Sequence, residues 1–278
     1  MLAIIQIIVT ILFTFFYGFF SFETISLLYI LKLIGIFLLT NVLYIILVIS
    51  IFIIIVYITE KLNPKSLKKH RLLMMFSNYF FNSLLRVKPI GKGLDNLPKD
   101  NNFVVYANHI EYSDPFYLKQ FFDEYPLSFV AKKPLYRFPV IKNLLNSINC
   151  IPIGKLADRE SLESILKTIK AVKEGQPMGI FPEGKRSYSN EVQPFKPGAF
   201  KVAIKAKADI CLVALFDFHE TQINKLRLRK TKIYLSILPI LKYNEYKEMD
   251  TVEVSKLAYK RINEEMNNYR LLKKENKL

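Results

Sequence analysis

The sequence has no tryptophan, only two cysteines and only three histidines. Cys150 and Cys211 stand far apart in apolar, strand-like runs, which argues against a disulfide framework and a cysteine-based metal site and reads both as reduced core residues. With His70, His109 and His219 alone available, histidine-dependent chemistry has few candidates. No G-x-S-x-G stretch occurs and neither cysteine has a histidine beside it in sequence, so nothing marks an acyl-enzyme nucleophile. Acidic residues are scarce as well: 24 Asp and Glu stand against 40 Lys and Arg, a formal net charge of +16. That surplus implies an anionic partner, whether nucleic acid, an anionic membrane surface or a phosphorylated substrate. Nucleic acid is disfavoured, because no recognisable motif is present and the basic residues are dispersed rather than set among stacking aromatics.

Charge is missing altogether from Leu2 to Phe22, LAIIQIIVTILFTFFYGFFSF. About 20 such residues make a helix that spans a hydrocarbon core of ~30 Å. A cleaved signal peptide would have a basic start and a shorter apolar run. A second apolar stretch, Ile25 to Thr59, is broken only by Lys32 and would be roughly 50 Å long as one helix. The economical reading is a turn or interfacial segment over Ser21 to Gly35, then a span from Ile36 to Ile58; a three-span variant breaking near Thr40 and Asn41 is the alternative. Residues 1–60 are thus expected to form a transmembrane helical hairpin. The basic run EKLNPKSLKKHR follows, marking the cytoplasmic side, so the rest of the chain is expected in the cytoplasm, attached to the cell membrane. Residues 61–90 mix Lys and Arg with Leu, Met and Phe, as a helix lying on the bilayer does, or as a core helix does.

Residues 91–278 read as a single α/β domain, in which short β-branched or aromatic runs alternate with longer helical stretches. Expected strands are Phe103 to Ala107, Leu127 to Ala131, Asn149 to Ile153, Met178 to Pro182, Ile210 to Leu215 and Lys232 to Ile240. Helices are expected over Pro115 to Glu124, Arg159 to Glu174, Pro197 to Ala208 and Val252 to Leu272.

Two loops at strand ends hold reactive side chains. In YANHIEYSDPFYL, Asp114 before Pro115 is a good helix start, which puts His109 in the loop between strand and helix. The bland reading makes Asp114 an N-cap and His109 a loop residue with one hydrogen bond. A second loop, FPEGKRS, follows the strand MGIF and sets Glu183, Lys185 and Arg186 around Gly184, which permits an unusual backbone angle and close approach of a ligand. A guanidinium there suits bidentate capture of phosphate, and a surface salt-bridge turn is its bland counterpart.

Together the two loops resemble the membrane-bound glycerolipid acyltransferase family, which includes the 1-acyl-glycerol-3-phosphate acyltransferases. NHIEYSD fits its N-H-x-x-x-x-D pattern and FPEGKRS its F-P-E-G-T-R-S pattern, in the right order and about 70 residues apart. The resemblance runs from Gly91 to Asp217 and includes GKGLDNLP and PFKPGAF. Three positions depart from the pattern. In IPIGKLADRES, Lys155 stands where the family's Arg usually is and Arg159 lies one helical turn later. Lys185 replaces a Thr, and Leu212 stands where a late strand usually carries Pro.

The resemblance implies an α/β fold with a mixed sheet flanked by helices, behind the membrane hairpin, and transfer of a fatty acyl group to the hydroxyl of a lysophospholipid. The donor is acyl carrier protein, a coenzyme A thioester or an acyl phosphate, and the acceptor of first choice is lysophosphatidic acid; no cofactor or metal is required. His109 is the expected general base, held in the correct tautomer by Asp114. Asn108, Glu183, Gly184, Lys185, Arg186 and either Lys155 or Arg159 are expected to bind substrate. Glycerol 3-phosphate or another lysophospholipid is the alternative acceptor. Outside acyl transfer, the alternatives are a basic membrane-tethered binding protein and a lipid hydrolase using His109 to activate water.

Overall fold

The computed structural model describes residues 1–22, 24–154, 159–223 and 229–278. Helices α1 (Leu2–Phe20) and α2 (Leu27–Glu60) are both long and apolar enough to cross a membrane. They form a hairpin whose polar side chains face each other. The Gln6 amide donates to Asn41 Oδ1 at 3.0 Å and accepts from the Tyr79 hydroxyl at 2.7 Å, while Tyr29 and Tyr44 donate to the backbone carbonyls of Gly18 and Leu2. The expected interfacial segment over Ser21 to Gly35 is corrected. Ser26 caps α2 by accepting from the Tyr29 amide, and α2 then runs unbroken for 34 residues through Lys32, Thr40 and Asn41. An apolar environment leaves backbone groups no partner outside the helix, so nothing in this stretch favours a break. The last turns of α2 serve two surroundings: Val48, Val56 and Thr59 are buried against the rest of the protein, while Ile54 and Ile58 remain exposed.

Helix α3 (Leu67–Asn78) continues into a π-helical turn, Tyr79–Leu84. It turns Lys69, His70, Leu73, Met74 and Phe76 inward and leaves Lys68, Arg71, Leu72 and Asn78 at the surface. Of the two surroundings the sequence left open for this stretch, bilayer or protein core, the apolar stripe of α3 takes the second. Part of the basic run is buried too: Lys69 Nζ donates to the carbonyls of Thr59 and Leu62, closing the end of α2, and to Ser147. Lys119 reaches His70 Nδ1 and the Leu127 carbonyl, and burial, only partly offset by Cys150 and Asp123, pushes Lys119 down to about 7.

The sheet begins at Val87, earlier than the expected boundary at residue 91. Its strands are β1 (Val87–Lys92), β2 (Phe103–Ala107), β3 (Ser128–Lys132), β4 (Ile151–Ile153), β5 (Met178–Ile180), β6 (Asp209–Phe216) and β7 (Thr231–Ile237), in the order β1-β7-β6-β2-β5-β3-β4. The run from β6 to β4 is parallel, and β7 and β1 run the other way. β1 was not expected from VKPIGK, whose Pro and Gly are tolerated because it is an edge strand. Strands buried on both faces read as continuous apolar runs, as FVVYA and ICLVAL do. Val104 and Tyr106 pack on one face with α6 (Arg159–Lys173), α7 (Lys201–Ala206) and α10 (Thr251–Lys274); Phe103 and Val105 pack on the other with α3, α4 (Asp114–Phe121) and α5 (Pro139–Ser147). Short helices α8 (Glu220–Ile223) and α9 (Tyr243–Tyr246) flank β7. Because β2 and β5 pair with Tyr106 opposite Ile180, the loops bearing His109 and Glu183 leave the same edge side by side.

Candidate active site

Asp114 opens α4, but its carboxylate does not cap that helix. It turns back into its own loop and accepts from the amides of Ile110 at 2.6 Å and Glu111 at 2.9 Å, and from His109 Nδ1 at 2.8 Å. Five residues would separate the pair on a helix; the turn over IEYS brings them together. Asp114 is fully buried, and burial raises its carboxyl above its ordinary value against the pull of His109 and these amides. A carboxylate only accepts, so Nδ1 carries the proton and Nε2 keeps its lone pair. The imidazole stacks on Phe181, centroids 4.2 Å apart, which fixes its plane.

The second loop is stitched to the first. Glu183 Oε1 accepts from the His109 amide at 3.0 Å, the Ser187 amide donates to the His109 carbonyl at 2.8 Å, and the Tyr188 amide donates to the Ile110 carbonyl at 3.2 Å. Gly184 holds φ at 69°, the left-handed region that a side chain disfavours. Burial pushes the Glu183 carboxyl up to about 8, and its Oε2 is buried with no hydrogen-bond partner. Arg186 lies flat on the Tyr112 ring, 3.3 Å from its centroid, with Tyr188 at 5.1 Å, and its buried Nη1 also has no partner. An unpartnered guanidinium nitrogen and an unpartnered carboxyl oxygen beside one imidazole are donors and acceptors in want of a ligand.

Of the expected site residues, the fold brings His109, Asp114, Glu183, Gly184 and Arg186 together. Lys185 is in the same loop with its side chain exposed. Asn108 is buried, and its amide donates to the Leu215 carbonyl at 2.9 Å and accepts from the Leu215 amide at 2.8 Å, so it fixes the loop to β6, with no side-chain atom turned to the cluster. Arg159 begins α6 with its side chain 94% exposed and paired to Glu163, so it does not join the cluster. Lys155 lies outside the described residues.

Sequence reasoning missed Glu111, Tyr112 and Phe181. Glu111 is buried, accepts from Gln222, and is pushed up to about 7 by burial and then by Asp114, with Arg186 pulling the other way. Nothing in NHIEYSD distinguishes Glu111 from a solvated loop residue; only the buried loop does. Beside these residues opens a cleft of about 240 Å³, lined on one side by Glu111, Tyr112 and Thr221 and on the other by Phe81, Leu85 and Phe116. Its apolar wall comes from the π-helical turn and α4, and it reaches the dyad's loop at Glu111, Tyr112 and Ser113 rather than at His109 itself. A separate group, Asp217, His219 and Glu220, gathers metal-type ligand atoms within 4.8 Å of one another. Lys273 Nζ already sits 2.8 Å from Asp217 and 3.4 Å from Glu220, an ammonium where a cation would bind.

A family model described as Acyltransferase matches residues 89–215. A 1-acyl-sn-glycerol-3-phosphate acyltransferase of Borreliella burgdorferi is 29% identical over 175 residues, 62% of this chain and 70% of that one. An enzyme of the same name from Bacillus subtilis is 34% identical over 116 residues, 42% of this chain and 56% of that one. The crystal structure of the 1-acyl-sn-glycerophosphate acyltransferase from Thermotoga maritima superposes with a TM-score of 0.64 at 22% identity, covering 82% of this chain and 94% of that one, a likeness of fold. The matched segment begins in β1 and ends in β6 and encloses both loops and the whole dyad, so the likeness to acyltransferases covers the candidate site.

Proposed function

We propose that the protein is a membrane-anchored 1-acylglycerol-3-phosphate acyltransferase, which transfers a fatty acyl group to the sn-2 hydroxyl of its acceptor and forms phosphatidic acid. The observation that carries this reading is the juxtaposition of a base, His109 with Nε2 free of Asp114, and the unpartnered buried Nη1 of Arg186. One end of the acceptor is a hydroxyl, a poor nucleophile until its proton is removed. The other is a phosphate, which a guanidinium captures with charge-assisted bonds. His109 Nε2 takes the hydroxyl proton as the oxygen attacks the donor carbonyl. Asp114 stabilises the imidazolium, and collapse of the tetrahedral intermediate expels thiolate or phosphate, which recovers the proton from Nε2. General-base help of this kind contributes about 10²- to 10⁴-fold.

Glu183 near pKa 8 is largely protonated at neutral pH, so it can donate to an acceptor oxygen as well as hold the His109 amide. The apolar wall of Phe81, Leu85 and Phe116 suits an acyl chain. On this reading the hairpin keeps the domain at the bilayer where lysolipid and product reside, and the basic run after α2 supports a cytoplasmic face for it. The test is label transfer from acyl carrier protein, coenzyme A and acyl phosphate donors to 1-acyl-glycerol 3-phosphate in vesicles, with glycerol 3-phosphate as competing acceptor. Labelled phosphatidic acid that disappears in His109→Ala supports the reading. Free fatty acid released without acceptor, or product formed equally by the variant, overturns it.

A further inference from the structure

The segment from Leu127 to Ala157 contains no acidic residue, and its first half reads KKPLYRFPVIK from Lys132. Its basic side chains, Lys132, Lys133, Arg137 and Lys142, are exposed, and between them Phe138 is 60% and Ile141 39% exposed. Lys133 pairs with Glu160 at 2.5 Å, but a large aromatic left in water beside the other cations is unexplained by packing or by the acyl-transfer site. Its place in the fold explains it. Helix α5 packs along α2, and the two meet end to end at Asn146, which donates to Glu60 at 2.9 Å, and at Ser147, whose carbonyl shares Lys69 with Thr59. Since α2 stops at Glu60, the earlier turns of α5 can lie only beside the earlier turns of α2. Phe138, just before α5, therefore sits toward the height of Ile51 and Ile54, the exposed apolar side chains of the apolar helix itself.

We propose that the segment Lys132 to Lys142 is a second membrane contact, in which Phe138 and Ile141 enter the interface of an anionic bilayer and the surrounding Lys and Arg meet its headgroups. The chemistry is that of an interfacial anchor: apolar side chains at the acyl boundary and cations in the headgroup layer. The contact also orients the enzyme. The segment leaves the carboxyl end of β3, and β3 is parallel to β5 and β5 to β2, so it emerges from the same sheet edge as the loops of His109 and Glu183. Seating it on the bilayer turns the active-site edge toward the headgroup layer, where an acceptor's phosphate and sn-2 hydroxyl lie. The inference rests on the hairpin being in the membrane, and the experiment separates the two.

Because the chain has no tryptophan, each introduced one is a single reporter. The full-length variants Phe138→Trp, Ile141→Trp, Phe16→Trp in α1 and Val252→Trp at the start of α10 are reconstituted in vesicles of plain or chain-brominated phosphatidylcholine, with and without phosphatidylglycerol. Phe138→Trp and Ile141→Trp are expected to lose emission in brominated vesicles, as Phe16→Trp does, while Val252→Trp keeps it. The loss at position 138 should deepen with phosphatidylglycerol, and Arg137→Glu with Lys142→Glu should remove that dependence. Quenching at 16 with none at 138 and 141 overturns the proposal while leaving the hairpin in place. Absence of quenching at 16 overturns the hairpin and the proposal with it. Quenching at 138 indifferent to anionic lipid and to the charge reversals overturns the headgroup pairing.

Discussion

The backbone amide of His109 donates to Glu183 Oε1 at 3.0 Å, across 74 residues of chain. The Ser187 amide answers by donating to the carbonyl of the same His109. The peptide groups on both sides of His109 are thus held by the loop that carries Arg186. The two loops are thus bonded into one unit at the ends of β2 and β5, which fixes the loop of Arg186 relative to His109.

Replacing Asp114 by Asn separates orientation from fold. The amide cannot serve as an acceptor to Nδ1 and to the Ile110 and Glu111 amides at once, and an NH₂ turned toward Nδ1 favours the tautomer with its proton on Nε2. Acyl transfer should fall by about 10²- to 10⁴-fold, close to the loss from His109→Ala. Because Asp114 is fully buried, the variant should also lose roughly 1–3 kcal/mol of stability, which His109→Ala, at a partly exposed position, should not match. Steady-state rates paired with thermal melts distinguish the two.

Arg186 should govern acceptor binding rather than chemistry. Loss of one charge-assisted bond, about 1.5–3 kcal/mol, predicts that Arg186→Ala raises KM for lysophosphatidic acid by roughly 10- to 150-fold. Arg186→Lys keeps the charge but loses the fork and the flat stack on Tyr112, so it should recover only part of this. A monoacylglycerol acceptor, lacking the phosphate, should discriminate little between wild type and either variant.

Much of this was legible in the sequence for a physical reason. The site is local: NHIEYSD and FPEGKRS each carry their side chains within a few residues, and the strands that place them are continuous apolar runs. What escaped was non-local. Asn108 reads as a polar loop residue, yet it behaves as an extra strand residue for Leu215, a contact fixed by β6 lying beside β2. Glu111 reads as solvated until α8 brings Gln222 to it. The stripe of α3 is amphipathic, and periodicity alone cannot say whether lipid or a sheet covers it. Likewise Lys32 hid the continuity of α2, because one charge in an apolar run marks an energetic cost, not a helix end.

Gly184→Ala tests the backbone of the second loop. A Cβ there would sit 2.8 Å from Lys196 Nζ, a flexible side-chain end that can move, so the clash itself is cheap. The backbone at φ 69° is not, and a side chain in the left-handed region costs about 1–2 kcal/mol. A melting-temperature decrease of that size is expected, and if the loop relaxes to relieve it, KM for the phosphate-bearing acceptor rises with it.

The last prediction concerns pH. Burial raises Glu183 from 4.5 to about 8, so between those values the unfolded chain has released a proton that the folded protein still holds. Stability therefore declines as pH rises through that window, and the contribution present below pH 4.5 is gone above about 8. Glu111, raised to about 7, acts with the same sign. His70 and Lys119, lowered by burial to about 3 and about 7, act with the opposite sign, because for them the unfolded chain holds the extra proton. The total slope thus mixes these groups with Asp114, raised by burial, and Lys69, lowered by it, but Glu183→Gln removes the Glu183 contribution alone. Gln cannot ionise and can still accept from the His109 amide, so the difference in stability between variant and wild type should grow in the variant's favour from pH 5 to pH 8. Urea melts at several pH values measure it directly. A difference that stays constant would mean that Glu183 is already ionised in the folded protein, and with that the proposed donor to the acceptor would be lost.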